Sequence, residues 1–114
     1  MTSDECDRRV ERLQAGLDAL PPVARSVENG MLHETREFRG LTKEQAMIYL
    51  ENLGGTRREG NQIAGDGWMA TLSTRKVSVG SYRLTTVRIT WVGDRDVLEP
   101  IIFRFRLKTF RAPG

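Results

Sequence analysis

The chain has one histidine, His33, and one cysteine, Cys6, and any reactive chemistry would centre on these two. A zinc site draws three or four ligands from Cys, His and carboxylates, and a single His and a single Cys in separate segments do not supply that set. His33 has no second histidine to share acid–base work; on a strand it reads as a surface or packed side chain. Cys6 lies near Arg9 and near the start of a predicted helix, both of which favour a thiolate. It also lies among Asp4, Glu5 and Asp7 and on an apolar stripe, which disfavour one, so it reads as a packing residue. No nucleophile–base or acid–base pair stands out. No catalytic residue, metal ligand or cofactor is therefore assigned, and an enzyme is the least favoured class.

The glycine turns GDGW and VGSY lack the spacing of GxGxxG or GxxxxGK[ST] and read as hairpin turns, not phosphate loops. Binding chemistry rests instead on aromatic and basic residues. Trp68, Tyr82, Arg88 and Trp91 are the expected anchors of a ligand or partner face. Arg75, Lys76 and Arg83 are the expected basic face, with either Arg75 and Arg83 sharing the solvent side or Arg88 pointing into a cleft. Arg83 and Arg88 have opposite parity, so an unbulged strand sends them to opposite sides of a sheet. In the last segment, RFRLKTFRAPG, the basic residues Arg104, Arg106, Lys108 and Arg111 are spread around a helix and solubilise it.

These residues need elements to hold them. Cys6, Val10, Leu13, Leu17 and Leu20 repeat at spacings of four, three, four and three, which predicts an amphipathic helix over 3–20 ended by Pro21-Pro22. Such a helix is marginal alone and needs to dock, either on the rest of the chain or on a second copy as a homodimer. Residues 21–30 read as a linker. MLHETREFRG reads as a strand, and Thr42-Lys43-Glu44-Gln45 as a capping box that opens a helix to about Leu53, with Ala46, Leu50 and Leu53 buried. Thr56–Arg58 and Gln62–Ala64 form an expected hairpin. Further strands follow at Trp68–Ser73 and Val77–Val79, with Arg75-Lys76 near a turn, and at Tyr82–Val92. Gly93-Asp94 then turns the chain. The segment 97–110 alternates like a strand in FRFRLK, yet its apolar residues also gather on helical arcs. Asp96 and Glu99 resemble a cap, with Pro100 in the first turn, so a helix is preferred. The fold class is α+β, in the order β-α-β-β-β-β-α for residues 31–114, an antiparallel sheet packed on helices, preceded by the N-terminal helix.

The order of a strand, the capped helix GLTKEQAMIYLENLGG, the turn GDGW, the stretch VSVGSYRLTTVRITWVGD and a closing helix resembles the MoaD-related C-terminal domain family. MoaD is the small sulfur-carrier subunit of molybdopterin synthase. In the family's best-known form this domain follows a ubiquitin-like carrier domain, and in others it stands nearly alone. The resemblance implies a fold like that of TATA-box-binding protein, a curved antiparallel sheet wrapping helices. The 30 residues before Met31 are too few for a ubiquitin-like domain. A carrier of that kind ends in Gly-Gly, whereas this chain ends in Ala112-Pro113-Gly114, so the chain is not expected to be the carrier itself.

Two functions from different classes follow. The first is a small non-enzymatic accessory module, linked by the resemblance to molybdopterin or sulfur-carrier biology, that binds a protein partner or small ligand. The second is a nucleic-acid-binding module using a basic sheet face. With 114 residues, 39% of them hydrophobic, the chain has room for one core. Residues 1–30 carry a net charge of −2 and residues 31–114 a net charge of +5, which suits an anionic partner. No apolar run approaches the roughly 20 residues of a membrane span, and the first residues are too acidic for a signal peptide. One cysteine allows no intramolecular disulfide. The expected location is cytoplasmic.

Overall fold

Four tight turns organise the sheet. The computed structural model describes residues 22–109. It contains six strands, β1 (Ala24–Glu28), β2 (Met31–Arg39), β3 (Thr56–Arg58), β4 (Gln62–Gly65), β5 (Trp68–Val79) and β6 (Tyr82–Asp94). Helix α1 (Lys43–Asn52) joins β2 to β3, and helix α2 (Arg95–Thr109) follows β6. Short turns join β1 to β2, β3 to β4, β4 to β5 and β5 to β6. The sheet is open, in the order β1-β2-β6-β5-β4-β3, and every pairing is antiparallel. The fold class is therefore the α+β arrangement expected from sequence. The helix expected over 3–20 lies outside the described residues, as does the chain after Thr109. Among the described residues, no helix is long and apolar enough to cross a membrane.

Five local expectations are corrected. The segment read as a linker contains β1, joined to β2 by the two-residue turn Asn29-Gly30. Both turn residues have positive φ, 52° and 79°, the type I′ conformation that Asn-Gly adopts readily and that matches the twist of paired strands. Strand β5 runs unbroken through Arg75 and Lys76 to Val79, and the turn there is Gly80-Ser81. Strand β6 continues through Gly93 to Asp94 and passes directly into α2. The cap of α2 is accordingly Asp94, whose Oδ1 accepts the Asp96 N–H at 2.9 Å. Pro100 falls in the second turn of α2, not the first, where it removes one intrahelical hydrogen bond.

The capping box of α1 forms as expected. The Thr42 hydroxyl accepts from the Gln45 N–H at 3.1 Å, and the Gln45 side chain accepts from the Thr42 N–H at 3.1 Å. Both helices pack on one face of the sheet. That face presents Leu32, Ile63, Trp68, Ala70, Leu72, Val87, Ile89 and Trp91, which join Leu41, Ala46, Met47, Leu50, Leu98, Ile102 and Phe105 in the core. Phe105 sits edge-on to three rings, with centroids 5.1 Å from Phe38, 5.5 Å from Trp91 and 6.2 Å from Tyr49. Such aromatic pairs add about 0.5–1.5 kcal/mol each beyond their burial. The segment 97–110 is helical as far as Thr109 because Leu98, Ile102 and Phe105 reach this core from a helix, which outweighs the strand-like alternation of FRFRLK.

Two glycines make room for Trp68. It pairs with Gly65 on one side and Gly93 on the other. A Cβ on Gly65 would stand 2.1 Å from the indole Nε1, and one on Gly93 would stand 2.5 Å from the Gly67 carbonyl oxygen. A buried ion-pair network closes the first edge. The Glu34 side chain has no solvent exposure and is paired with Arg25 of β1 and with Arg36, the latter at 2.6 Å. Arg25 also pairs with Glu99 of α2, which ties the edge strand, its neighbour and the helix together.

Two stability predictions follow from these contacts. Gly65→Ala is expected to cost about 2 kcal/mol, because the indole must leave its place to admit a methyl group. Urea unfolding would show a lower midpoint at an unchanged slope; an unchanged midpoint would contradict this packing. Glu34→Gln is expected to cost about 3 kcal/mol, at the low end for one partner of a buried pair because Arg25 is partly exposed. A thermal melt within a degree of the parent would show that the network is not a support of β1.

Candidate functional site

The side chains that alternate with the core residues form the other face of the sheet, which no described element covers. Strand register places them in rows. Ala24, Thr35, Thr90, Thr71, Gln62 and Arg58 form one row across all six strands. Thr35 and Thr90 share a hydroxyl–hydroxyl hydrogen bond of 3.1 Å. The next row holds Glu37, Arg88 and Ser73, and the one after it Arg39, Thr86 and Arg75. His33 and Met69 flank Val92 at the opposite end of the same face.

Charge on this face centres on Glu37. Arg88 Nη2 donates to Glu37 Oε2 at 3.0 Å. That hydrogen bond holds the Glu37 carboxyl below its ordinary value of 4.5, against the opposing effect of burial; Thr86 and the charges of Arg88 and Arg75 act in the same direction as the bond. Beneath this pair Thr86 is fully buried and donates to the Arg75 carbonyl at 3.2 Å. Arg88 Nε is buried without a hydrogen-bond partner. A carboxylate held ionised by a guanidinium makes a poor proton acceptor near neutral pH. The chemistry on offer is hydrogen bonding from hydroxyls and charge from Arg39, Arg58, Arg75 and Arg88. Among the described residues, no group of three or more His, Cys, Asp or Glu side chains is placed to hold a metal.

The residues picked out by sequence are divided by the register. Trp68 and Trp91 point to the helix side, where they are buried in the core. Tyr82 lies at the far end of β6, 75% exposed. Arg88 lies on the open face beside Glu37. These four do not meet. Arg75 shares the open face with Arg88, whereas Lys76 and Arg83 take the parity of the other side. The expected sharing of one side by Arg75 and Arg83 is thus corrected by the strict antiparallel register, in which Arg75 faces with Thr86 and Arg83 with Ser78. Sequence reasoning missed Thr35, Glu37, Arg39, Thr71 and Thr90. The alternation Thr86-x-Arg88-x-Thr90 marked half of the face, but nothing local announced that Thr35 and Glu37 would lie beside it.

The family model described as archaeal MoaD-like protein matches residues 34–114. None of the curated proteins matches the chain.

The lowered Glu37 value gives a pH dependence with a definite sign. The pair contributes its full stability above the ordinary carboxylate value, and that contribution is lost as pH falls through the lower folded value. Wild type is therefore expected to lose more melting temperature than Glu37→Gln between about pH 5 and about pH 3. Parallel melting curves across that range would contradict the Arg88–Glu37 pairing.

Proposed function

The chain belongs to the archaeal MoaD-like family, and from that premise we propose that it is a small, non-enzymatic cytoplasmic module that serves molybdopterin or sulfur-carrier chemistry by binding a partner. The match carries this reading, because it spans most of β2 and every element after it. The open face of the sheet is the proposed contact surface. Of the residues expected to anchor a partner, Arg88 and Tyr82 remain available for that role, while the two tryptophans hold the core. Threonine hydroxyls and guanidinium groups on this face suit a polar or acidic protein surface, with the rim charges acting mainly on encounter rate and specificity.

A second reading has one observation in its favour. Arg39, Arg58, Arg75 and Arg88 share the open face, an arrangement that also suits a phosphate backbone. Against it, Glu37 offsets part of that charge at the centre of the patch, and Lys76 and Arg83 take the opposite parity.

One experiment separates the two. The full-length chain is used as bait in native cell extract, with and without RNase and DNase. Recovery of molybdopterin-synthase or sulfurtransferase components, insensitive to nuclease and weakened by Arg88→Glu, is the expected result. Nuclease-sensitive recovery of nucleic acid, with a steep salt dependence, would overturn the first reading in favour of the second.

A further inference from the structure

The β5–β6 hairpin is longer than the sheet that supports it. Its strands pair from Trp68↔Gly93 to Val79↔Tyr82. Strand β2 accompanies β6 only as far as Thr86, and β4 accompanies β5 only as far as Thr71. Beyond the Arg75↔Thr86 pair the hairpin is a two-stranded arm. In an antiparallel strand, alternate residues direct both of their backbone groups to the same neighbour. The Leu72 N–H donates to the Asn61 carbonyl at 3.0 Å. Residues of the same parity, Thr74, Lys76 and Ser78, therefore direct their N–H and C=O groups to that same edge, away from β6. Strand β4 does not extend along them, because Gly60 and Asn61, both at positive φ, connect it to β3. Among the described residues no strand pairs with this stretch of β5 on its outer side.

We propose that this edge takes up an extended, acidic segment of a partner protein as an added strand. Main-chain hydrogen bonds to Thr74, Lys76 and Ser78 supply the affinity, and the flanking side chains supply the choice of sequence. Charge identifies the occupant. Ser73, Thr74, Arg75 and Lys76 are exposed, and no acid lies between Thr74 and Thr86. Glu37, whose charge reaches Arg75, is bonded to Arg88. Side chains of an added strand alternate between the two sides of the sheet. Neighbouring acids on it therefore meet Arg75 on the open side and Lys76 on the helix side. Opposite charges on adjacent strands favour a pairing and like charges oppose it. A second copy is disfavoured for that reason. Fully overlapped antiparallel copies set Lys76 against Lys76, and a neighbouring register sets Arg75 against Arg75. Stability argues in the same direction, because a two-stranded hairpin is marginal in water and a third strand relieves that. The proposal uses the backbone of one strand edge and goes beyond the reading of the open face given above.

The probe is a blocked peptide of Thr and Val with an Asp-Glu pair at its centre, titrated into the isotope-labelled full-length chain. Saturable binding that slows amide exchange at Thr74, Lys76 and Ser78 is the expected result. Two further peptides carry an N-methyl group at one or the other of two adjacent residues. Only alternate N–H groups of an added strand point to the edge. One methylated peptide is therefore expected to bind about tenfold more weakly than the parent and the other to bind like it. This comparison leaves the protein unchanged. Thr74→Pro removes an outward N–H and leaves the β5–β6 pairing in place, and it is expected to weaken the parent peptide about tenfold. Absence of binding, or equal affinities of the two methylated peptides, would overturn the proposal. Self-association of the chain that Thr74→Pro abolishes would overturn it too, by assigning the edge to a second copy. Binding of single-stranded DNA without binding of the peptide would overturn it in favour of a nucleic acid.

Discussion

The fit of Trp68 between Gly65 and Gly93 is the constraint on which the rest of the molecule depends. A side chain larger than hydrogen at either glycine would occupy the volume of the indole or of the neighbouring backbone. With those two positions empty, β4, β5 and β6 come together in a single register. Side chains alternate strictly along each strand, so that register assigns every later residue to a face. Val87, Ile89 and Trp91 go to the helices and Thr86, Arg88 and Thr90 to the open side. A slip by one residue would exchange the two sets and bury an arginine where Ile89 now sits.

Much of the fold is legible in the sequence for physical reasons that act locally. The capping box at Thr42–Gln45 and the glycines after Leu53 mark α1 from both ends. The turn residues of the later hairpins mark four strands in succession. Asn29-Gly30 was an equally strong local signal for the first hairpin, but the short, wholly exposed β1 offers no apolar alternation to go with it. The run through Arg75 and Lys76 misleads in the opposite sense, since charged residues in a protruding arm look like a turn although both strands are extended. The direct passage from β6 into α2 is hidden because Gly93, a common turn residue, serves here to admit a neighbouring backbone.

The candidate face was only half legible. Thr86, Arg88 and Thr90 share parity on one strand, and that much follows from sequence. Their partners Arg39, Glu37 and Thr35 come from a strand on the far side of α1, and no local preference specifies which residue of β2 meets which residue of β6. The burial of Trp68 and Trp91 has a similar origin. An aromatic residue on a strand suits a core or a binding surface equally well until the position of the helices is known, and here both helices lie on the tryptophan side. The Arg88–Glu37 pair then explains why a patch with four arginines is less basic than its count implies.

The same topology has a consequence for chain entropy. Four of the five strand pairings are hairpins closed by two or three residues, and their loop-closure cost is small. The pairing of β2 with β6 is different: it joins residues 47 to 63 positions apart, from Arg39↔Thr86 to Met31↔Asp94. Nearly all the non-local ordering of the sheet is therefore concentrated in one seam, between a two-stranded unit and a four-stranded unit that each have short-range connections. Contact order in this molecule is not spread through the sheet but belongs to a single join, and that join runs through the middle of the open face.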